Sequence, residues 1–135
     1  MAGVVRIRGE IVERMLEEAR QSPGTECCGL LAGRDGVISV ILPAANALAS
    51  ATTYEIAPQE LFRMFRFLRE AGLEHMGIYH SHVAGPGVPS ATDIERAYYP
   101  DVAYFIVALE AEAAGRVGAF SIRDGVVVEL TIEVS

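Results

Sequence analysis

The stretch HSHVAGPGVPSATD, residues 80–93, holds two of the three histidines in this chain of 135 residues. It follows an apolar run that begins at Met76 and that no turn residue interrupts, which predicts a buried strand. Because side chains alternate along a strand, His80 and His82 would point to one side of the sheet and Ser81 to the other. The sequence therefore predicts two imidazoles side by side at the end of a strand.

Two imidazoles on one face can grip a metal ion if an acidic oxygen completes the set. After a Gly- and Pro-rich turn, Asp93 lies in the first turn of the next predicted helix and can supply that oxygen. Three protein ligands leave the fourth position of zinc open to water, as in catalytic zinc sites. Ordinary interpretations stand beside this one. His-x-His pairs are often exposed or core histidines, and Ser90 followed three residues later by Asp93 is close to a capping box.

A water activated by a metal also needs a base that takes its proton. Most acidic residues of the chain alternate with basic residues on predicted helices, which is typical of a solvated face. Glu26 differs, because it directly precedes the apolar run CCGLLAG at 27–33. We therefore expect Glu26 to be the acid–base residue if the metal site exists.

The rest of the chain alternates helical and extended patterns, which predicts a mixed α/β fold with helices on the faces of a sheet. Helices are predicted at 10–21, 58–72 and 91–98. Strands are predicted at 4–7, 27–33, 37–42, 54–56, 76–81, 102–109, 117–122 and 126–134, with Asp-Gly hairpin turns at 35–36 and 124–125. His75, among polar neighbours, is expected at the surface.

Composition excludes several classes of protein. A net charge of -7, with no lysine and scattered arginines, argues against nucleic-acid binding. The amino terminus has no apolar signal region, and no apolar stretch reaches the ~20 residues of a membrane span. Cys27 and Cys28 are adjacent and cannot form a disulfide framework, which fits a reducing compartment. We expect one cytoplasmic domain over residues 1–135.

Taken together, these residues resemble the JAMM (MPN+) family of zinc metalloproteases. The family motif H-x-H-x7-S-x2-D is matched by His80, His82, Ser90 and Asp93. The family also has a glutamate before a Cys-Gly-Leu-Leu-x-Gly strand, which Glu26 matches. Segments 54–58 and 77–79 are similar too, so the likeness covers most of the chain.

The resemblance implies a fold and a set of roles. The fold would be the MPN core, a mixed curved β-sheet flanked by helices with a layout like that of cytidine deaminases. Zn²⁺ would be held by His80, His82 and Asp93, with water as the fourth ligand. Glu26 would be the general acid–base, and Ser90 would hydrogen-bond the oxyanion of the tetrahedral intermediate.

One position departs from the family pattern. Val83 replaces the Pro that usually follows the second histidine. Because this residue is not a ligand, we expect an altered turn and an intact site.

The resemblance also implies a substrate class. Members cleave amide bonds at the carboxyl terminus of ubiquitin or ubiquitin-like proteins, and small single-domain members often act on the Gly-Gly tail of β-grasp sulfur carriers. Two alternatives remain open: a non-catalytic MPN-type interaction scaffold, and a peptidase acting on short peptides such as those of the cell wall.

Overall fold

The strands form one closed, mixed sheet in the structure, a computed structural model that describes residues 3–109 and 116–135. In chain order the elements are β1 Val4–Ile7, α1 Gly9–Gln21, β2 Cys28–Arg34, β3 Val37–Ala44, α2 Pro58–Ala71, β4 Glu74–His82, α3 Ala91–Glu95, β5 Ala103–Ala108, β6 Arg116–Arg123 and β7 Val126–Val134.

The order of strands around the sheet is β1-β3-β2-β4-β5-β6-β7, and β7 returns to pair with β1. β1 pairs in parallel with β3 and β7, β4 pairs in parallel with β5, and the remaining pairs are antiparallel. The predicted mixed, curved sheet is confirmed, and its curvature closes it into a barrel. Both predicted Asp-Gly turns are present, with positive φ at Asp35, Gly36, Asp124 and Gly125, as two-residue hairpins require.

Each face of the sheet packs against a different helix. Ile11, Met15 and Ala19 of α1 recur at helical spacing and lie buried in one apolar cluster. Met64 and Leu68 of α2 are buried in a second cluster on the other side of the strands. β4, the strand that carries His80 and His82, contributes to both clusters, because its successive side chains alternate between them.

The predicted strand at 54–56 is wrong. Glu55 donates its N–H to the Asn46 side chain at 3.2 Å, and its carbonyl accepts from the Ala47 N–H at 2.8 Å. The backbone of this segment is therefore paired within its own loop and has no place in the sheet.

The third helix is shorter than predicted, since α3 ends at Glu95 and not near residue 98. Pro100 disfavours a helical conformation for Tyr99. The N–H of Tyr99 is donated to the Tyr104 hydroxyl at 3.0 Å, so it cannot extend the helix. The loop after α3 is thereby tied to β5.

Within 3–109 and 116–135, every helix is too short or too polar to cross a bilayer.

Substitution of Gly33 tests the closeness of β2 and β3. A Cβ at this position, where the pairing register shifts, would collide with the backbone carbonyl of Val37. We expect Gly33→Ala to lower the free energy of unfolding in urea by about 1–3 kcal/mol. Gly24→Ala, where open space surrounds the new methyl group, is the control and should change it by less than about 0.5 kcal/mol. Equal effects would contradict the packing described.

Candidate metal centre

The site is built by the pairing of β2 with β4. Cys28 lies opposite His80, and the Ser81 N–H donates to the Cys27 carbonyl at 3.0 Å. Glu26 directly precedes Cys27 and lines one cavity together with His82. The strand that carries the histidines therefore places the acidic residue beside them.

Side chains of β4 alternate as the sequence predicted. Tyr79 and Ser81 face α1: the Tyr79 hydroxyl donates to Glu18 at 2.7 Å, and Ser81 Oγ accepts from the Cys27 N–H at 2.9 Å. His80 faces the opposite side, where the ring of Tyr54 stacks on it with centroids 4.5 Å apart.

His80, His82 and Asp93 converge on one point. Each offers one ligand atom, and these atoms all lie within 4.8 Å of one another. The Nε2 atoms of His80 and His82 are 3.1 Å apart. Asp93 Oδ2 lies 3.2 Å from His80 Nε2 and 3.0 Å from His82 Nε2. The structure thus brings together all three residues predicted as ligands.

A backbone carbonyl orients the second imidazole. His82 Nδ1 lies 2.8 Å from the carbonyl oxygen of Pro86 in the turn after β4. A proton on Nδ1 donates to this carbonyl and leaves a lone pair on Nε2, which is the tautomer that binds a metal. The Gly- and Pro-rich turn therefore fixes the histidine as well as reversing the chain.

The pKa values of the three groups reflect their coupling. Burial lowers the pKa of His80, against the opposing effect of its hydrogen bond to Asp93. Burial alone would raise the pKa of Asp93, but its hydrogen bonds with both histidines hold that pKa well below its usual range. Burial alone would lower the pKa of His82, but its hydrogen bond with Asp93 raises it. An ionised carboxylate facing two imidazole nitrogens is the charge state a cation requires.

Glu26 is buried at the edge of this group. Its exposed fraction is 3%, and Oε1 has no hydrogen-bond partner among the described residues. Burial raises its pKa to about 7, while His82 lowers it and Asp93 raises it. Glu26, His82 and Ser90 line one cavity of about 210 Å³, so the carboxyl group and the imidazole face the same space.

Ser90 is the N-cap residue of α3 and fixes the position of Asp93. Its Oγ accepts from the Asp93 N–H at 3.1 Å, and its own N–H donates to Asp93 Oδ2 at 2.9 Å. The predicted capping box is therefore present. Because Ser90 also lines the cavity of Glu26, capping does not remove it from the site.

A second cavity, of about 290 Å³, borders the centre through Asp93. Tyr54, Tyr104 and Arg96 are among its lining residues. The centre thus lies between two concave spaces.

The sequence interpretation missed two residues of the site region. Tyr54, assigned to a strand, instead covers His80. Asn46 makes five side-chain hydrogen bonds that organise the loop carrying Tyr54, and its only signal was that it is the one amide in an Ala-rich loop.

His75 is half-buried, and therefore lies deeper than the surface position expected for it. Its ring packs edge-on against Phe65 at 5.0 Å and Tyr99 at 5.7 Å, and burial lowers its pKa. It does not belong to the three-ligand group.

The donor set fits a metal ion. Two imidazole nitrogens and a carboxylate oxygen suit a divalent cation, and they are already oriented by a carbonyl and a helix cap. Nearly complete burial of His80 would be costly for a charged imidazolium, whereas a metal binds the neutral form.

Comparison with known proteins agrees with this geometry. A family model described as prokaryotic homologs of the JAB domain matches residues 9–122. The chain belongs to this family. The predicted resemblance to JAMM proteins is thereby confirmed.

Two relatives match different shares of the chain. A CysO-cysteine peptidase from Mycobacterium tuberculosis is 33% identical over 133 residues, which are 97% of this chain and 91% of that protein. A protein from Thermus thermophilus, named a probable TtuB-protein conjugate cleaving protease, is 40% identical over 91 residues, which are 67% of this chain and 60% of that protein.

Solved structures share the fold. A protein from Desulfitobacterium hafniense superposes with a TM-score of 0.86 at 32% identity and covers 97% of this chain and 92% of its own. A JAB1/MPN domain protein from Archaeoglobus fulgidus has a TM-score of 0.63 at 20% identity, with 96% of both chains covered. The predicted MPN core is confirmed.

Metal addition should stabilise the fold. At a free Co²⁺ concentration of 100 times the dissociation constant, binding adds about 2.7 kcal/mol and should raise the Tm by roughly 5–15 °C. Asp93→Asn should remove most of this shift, whereas Asp101→Asn, at an exposed ion pair with Arg123, should keep it. Differential scanning fluorimetry measures both, and an unchanged shift in Asp93→Asn would argue against the ligand set.

The buried Glu26 should destabilise the metal-free protein at high pH. Its folded pKa of about 7 exceeds the ordinary 4.5, so the folded state binds the proton more tightly, and stability falls as pH rises from 4.5 through 7. With a chelator present, Glu26→Gln should therefore be more stable than the wild type by about 3 kcal/mol at pH 8, and by less than about 1 kcal/mol at pH 5.

Urea unfolding at the two pH values measures this difference. Glu13→Gln, an exposed carboxylate on α1, is the control and should show little pH-dependent gain. A Glu26→Gln gain that does not change with pH would refute the burial argument.

Proposed function

We propose that this protein is a zinc-dependent metallopeptidase that hydrolyses amide bonds at the carboxyl-terminal tail of ubiquitin-like or sulfur-carrier β-grasp proteins. The observation that carries the proposal is the convergence of His80, His82 and Asp93 beside the buried carboxyl group of Glu26. The relatives support the substrate class, since their names describe a peptidase for a CysO-cysteine and a protease that cleaves TtuB-protein conjugates.

His80, His82 and Asp93 would hold the zinc ion. Two nitrogens, one oxygen and an open position make the ligand set of catalytic zinc. When bound, zinc supplies Lewis-acid chemistry, which lowers the pKa of a coordinated water to about 7 and polarises a carbonyl group.

Glu26 is proposed as the general acid–base. Its pKa near 7 lets the carboxylate take a proton from the attacking water and return it to the leaving amine at neutral pH. Its position in the same cavity as His82 supports this role. Oε1 has no hydrogen-bond partner among the described residues, which leaves one oxygen available for the proton.

Ser90 is proposed to donate a hydrogen bond from its hydroxyl group to the oxyanion. The hydroxyl oxygen accepts from the Asp93 N–H, so its own proton remains free to point into the cavity. Such a donor contributes about 2.7–4 kcal/mol to transition-state binding in analogous sites. The intact ligand set and the buried base argue against a non-catalytic scaffold.

The decisive experiment compares two conjugates of one β-grasp carrier. In the first, the Gly-Gly tail carries a peptide-bonded cysteine, and in the second it is joined to a protein lysine. We expect the zinc-loaded protein to cleave at least one of them, Glu26→Gln to lower kcat by about 10²–10⁴-fold, and a chelator to abolish turnover.

The control is again Glu13→Gln, which should retain wild-type kcat because its carboxylate is exposed on α1. Mass spectrometry of the released carrier identifies the bond that is cut. Full activity in Glu26→Gln or in chelator would refute the mechanism. Cleavage of short peptides with neither conjugate cleaved would refute the substrate class.

A further inference from the structure

One side-chain amide ties Glu26 to a neighbouring loop. Asn46 lies between β3 and α2, and its Nδ2 donates to the carbonyl of Glu26 at 3.1 Å and to that of Thr53 at 3.0 Å. The carbonyl of Ser50, at 3.4 Å, shares the same donor. The amide therefore joins Glu26, two residues before β2, to both arms of the loop.

The amide oxygen of Asn46 organises the same loop from within. Oδ1 accepts from the N–H of Leu48 at 3.0 Å and from that of Glu55 at 3.2 Å. Tyr54 directly precedes Glu55, and its ring stacks on His80. One side chain thus connects the backbone of the acidic residue to the segment that packs on a metal ligand.

Glu26 is fixed at both of its backbone groups. Its N–H donates to the Ser50 carbonyl at 2.8 Å, and its carbonyl accepts from Asn46. The following peptide unit is held by Ser81 of β4. The direction in which the Glu26 side chain leaves the backbone is therefore set by the loop on one side and by the histidine strand on the other.

We propose that Asn46 is a positioning residue that aims the Glu26 carboxyl group at the space in front of His82. It acts through the Glu26 carbonyl and the loop, and its hydrogen bonds are to backbone groups only. The inference rests on the proposed function to the extent that Glu26 is the acid–base. It adds a residue outside the family motif quoted above.

The chemistry of the position selects an amide. Donors are needed toward the carbonyls of Glu26 and Thr53, and an acceptor is needed toward two N–H groups. Aspartate has the same shape and keeps the acceptor, but it loses both donors and places a negative charge against carbonyl oxygens. Asn46→Asp therefore breaks the link to Glu26 while it preserves the inner hydrogen bonds of the loop.

The matched control is Ser50→Ala. The Ser50 hydroxyl bonds only Thr52, at 3.1 Å to its N–H and 3.3 Å to its hydroxyl, among the described residues. The Ser50 carbonyl, which holds the Glu26 N–H, is retained in this variant. The two variants thus change the same loop, but only one changes the support of Glu26.

We would measure kcat and KM on the cleaved conjugate, Co²⁺ affinity with its visible absorption spectrum, and NMR hydrogen exchange of the Glu26 amide. For Asn46→Asp we expect kcat to fall by about 100-fold, KM to change by less than about threefold, and the Glu26 amide to exchange at least about tenfold faster. Co²⁺ affinity and spectrum should stay near wild type, because the ligands are untouched. Ser50→Ala should match wild type in every readout.

The outcomes separate this inference from the proposed function. If the wild type cleaves neither conjugate, the proposed function fails, while faster exchange at Glu26 in Asn46→Asp still supports the positioning role. The positioning role would be overturned if Asn46→Asp left the exchange of the Glu26 amide or kcat unchanged. It would also be overturned if a loss of Co²⁺ binding fully explained the fall in kcat, or if Ser50→Ala lowered kcat equally. If Asn46→Asp does not fold by circular dichroism, Asn46→Ser provides the same comparison.

Discussion

The pairing register between β2 and β4 is the constraint on which the rest of the site depends. It sets Cys28 opposite His80 and therefore brings Glu26 to the side of His82. A slip of one residue would turn both histidines toward α1, where Tyr79 and Ser81 now lie. Two hydrogen bonds between Cys27 and Ser81, one from the Ser81 N–H to the Cys27 carbonyl and one from the Cys27 N–H to the Ser81 hydroxyl, hold this register at the end where the chemistry is proposed.

Several ionisable groups are buried at this site, and the fold compensates their charges to different extents. Asp93 is compensated by two imidazoles and by the amino terminus of α3. Glu26 has no such set of donors, since Oε1 is unpartnered among the described residues and its pKa rises to about 7. The difference matches the proposed roles, in which Asp93 stays ionised as a metal ligand and Glu26 exchanges its proton near neutral pH. The proposed acid–base role of Glu26 therefore comes with a loss of folding stability.

Sequence reasoning reached the local features whose causes are local. The helix starts, the Asp-Gly hairpins, the alternation of β4 and the capping box at Ser90 follow from backbone preferences and from patterns within a few residues. Closure of the sheet was not predicted from the sequence, because it depends on the pairing of β1 with β7, which are over a hundred residues apart. The segment at 54–56 failed for the same kind of reason: its β-type composition is overruled by Asn46, which binds its backbone from nine residues away.

The loop that holds Tyr54 connects the metal centre to both cavities. Thr52 lines the cavity of Glu26, and Thr53 and Tyr54 line the larger one beside Asp93. Neither the ligand atoms nor the Glu26 carboxyl group comes from this loop, so its outward residues can change without altering the metal donors. Its inner geometry cannot change as freely, because the same backbone that forms the cavity walls also bonds Glu26. In the proposed mechanism, substrate fit and acid–base geometry are therefore coupled through the amide of Asn46, while the three candidate metal ligands are positioned separately by β4 and α3.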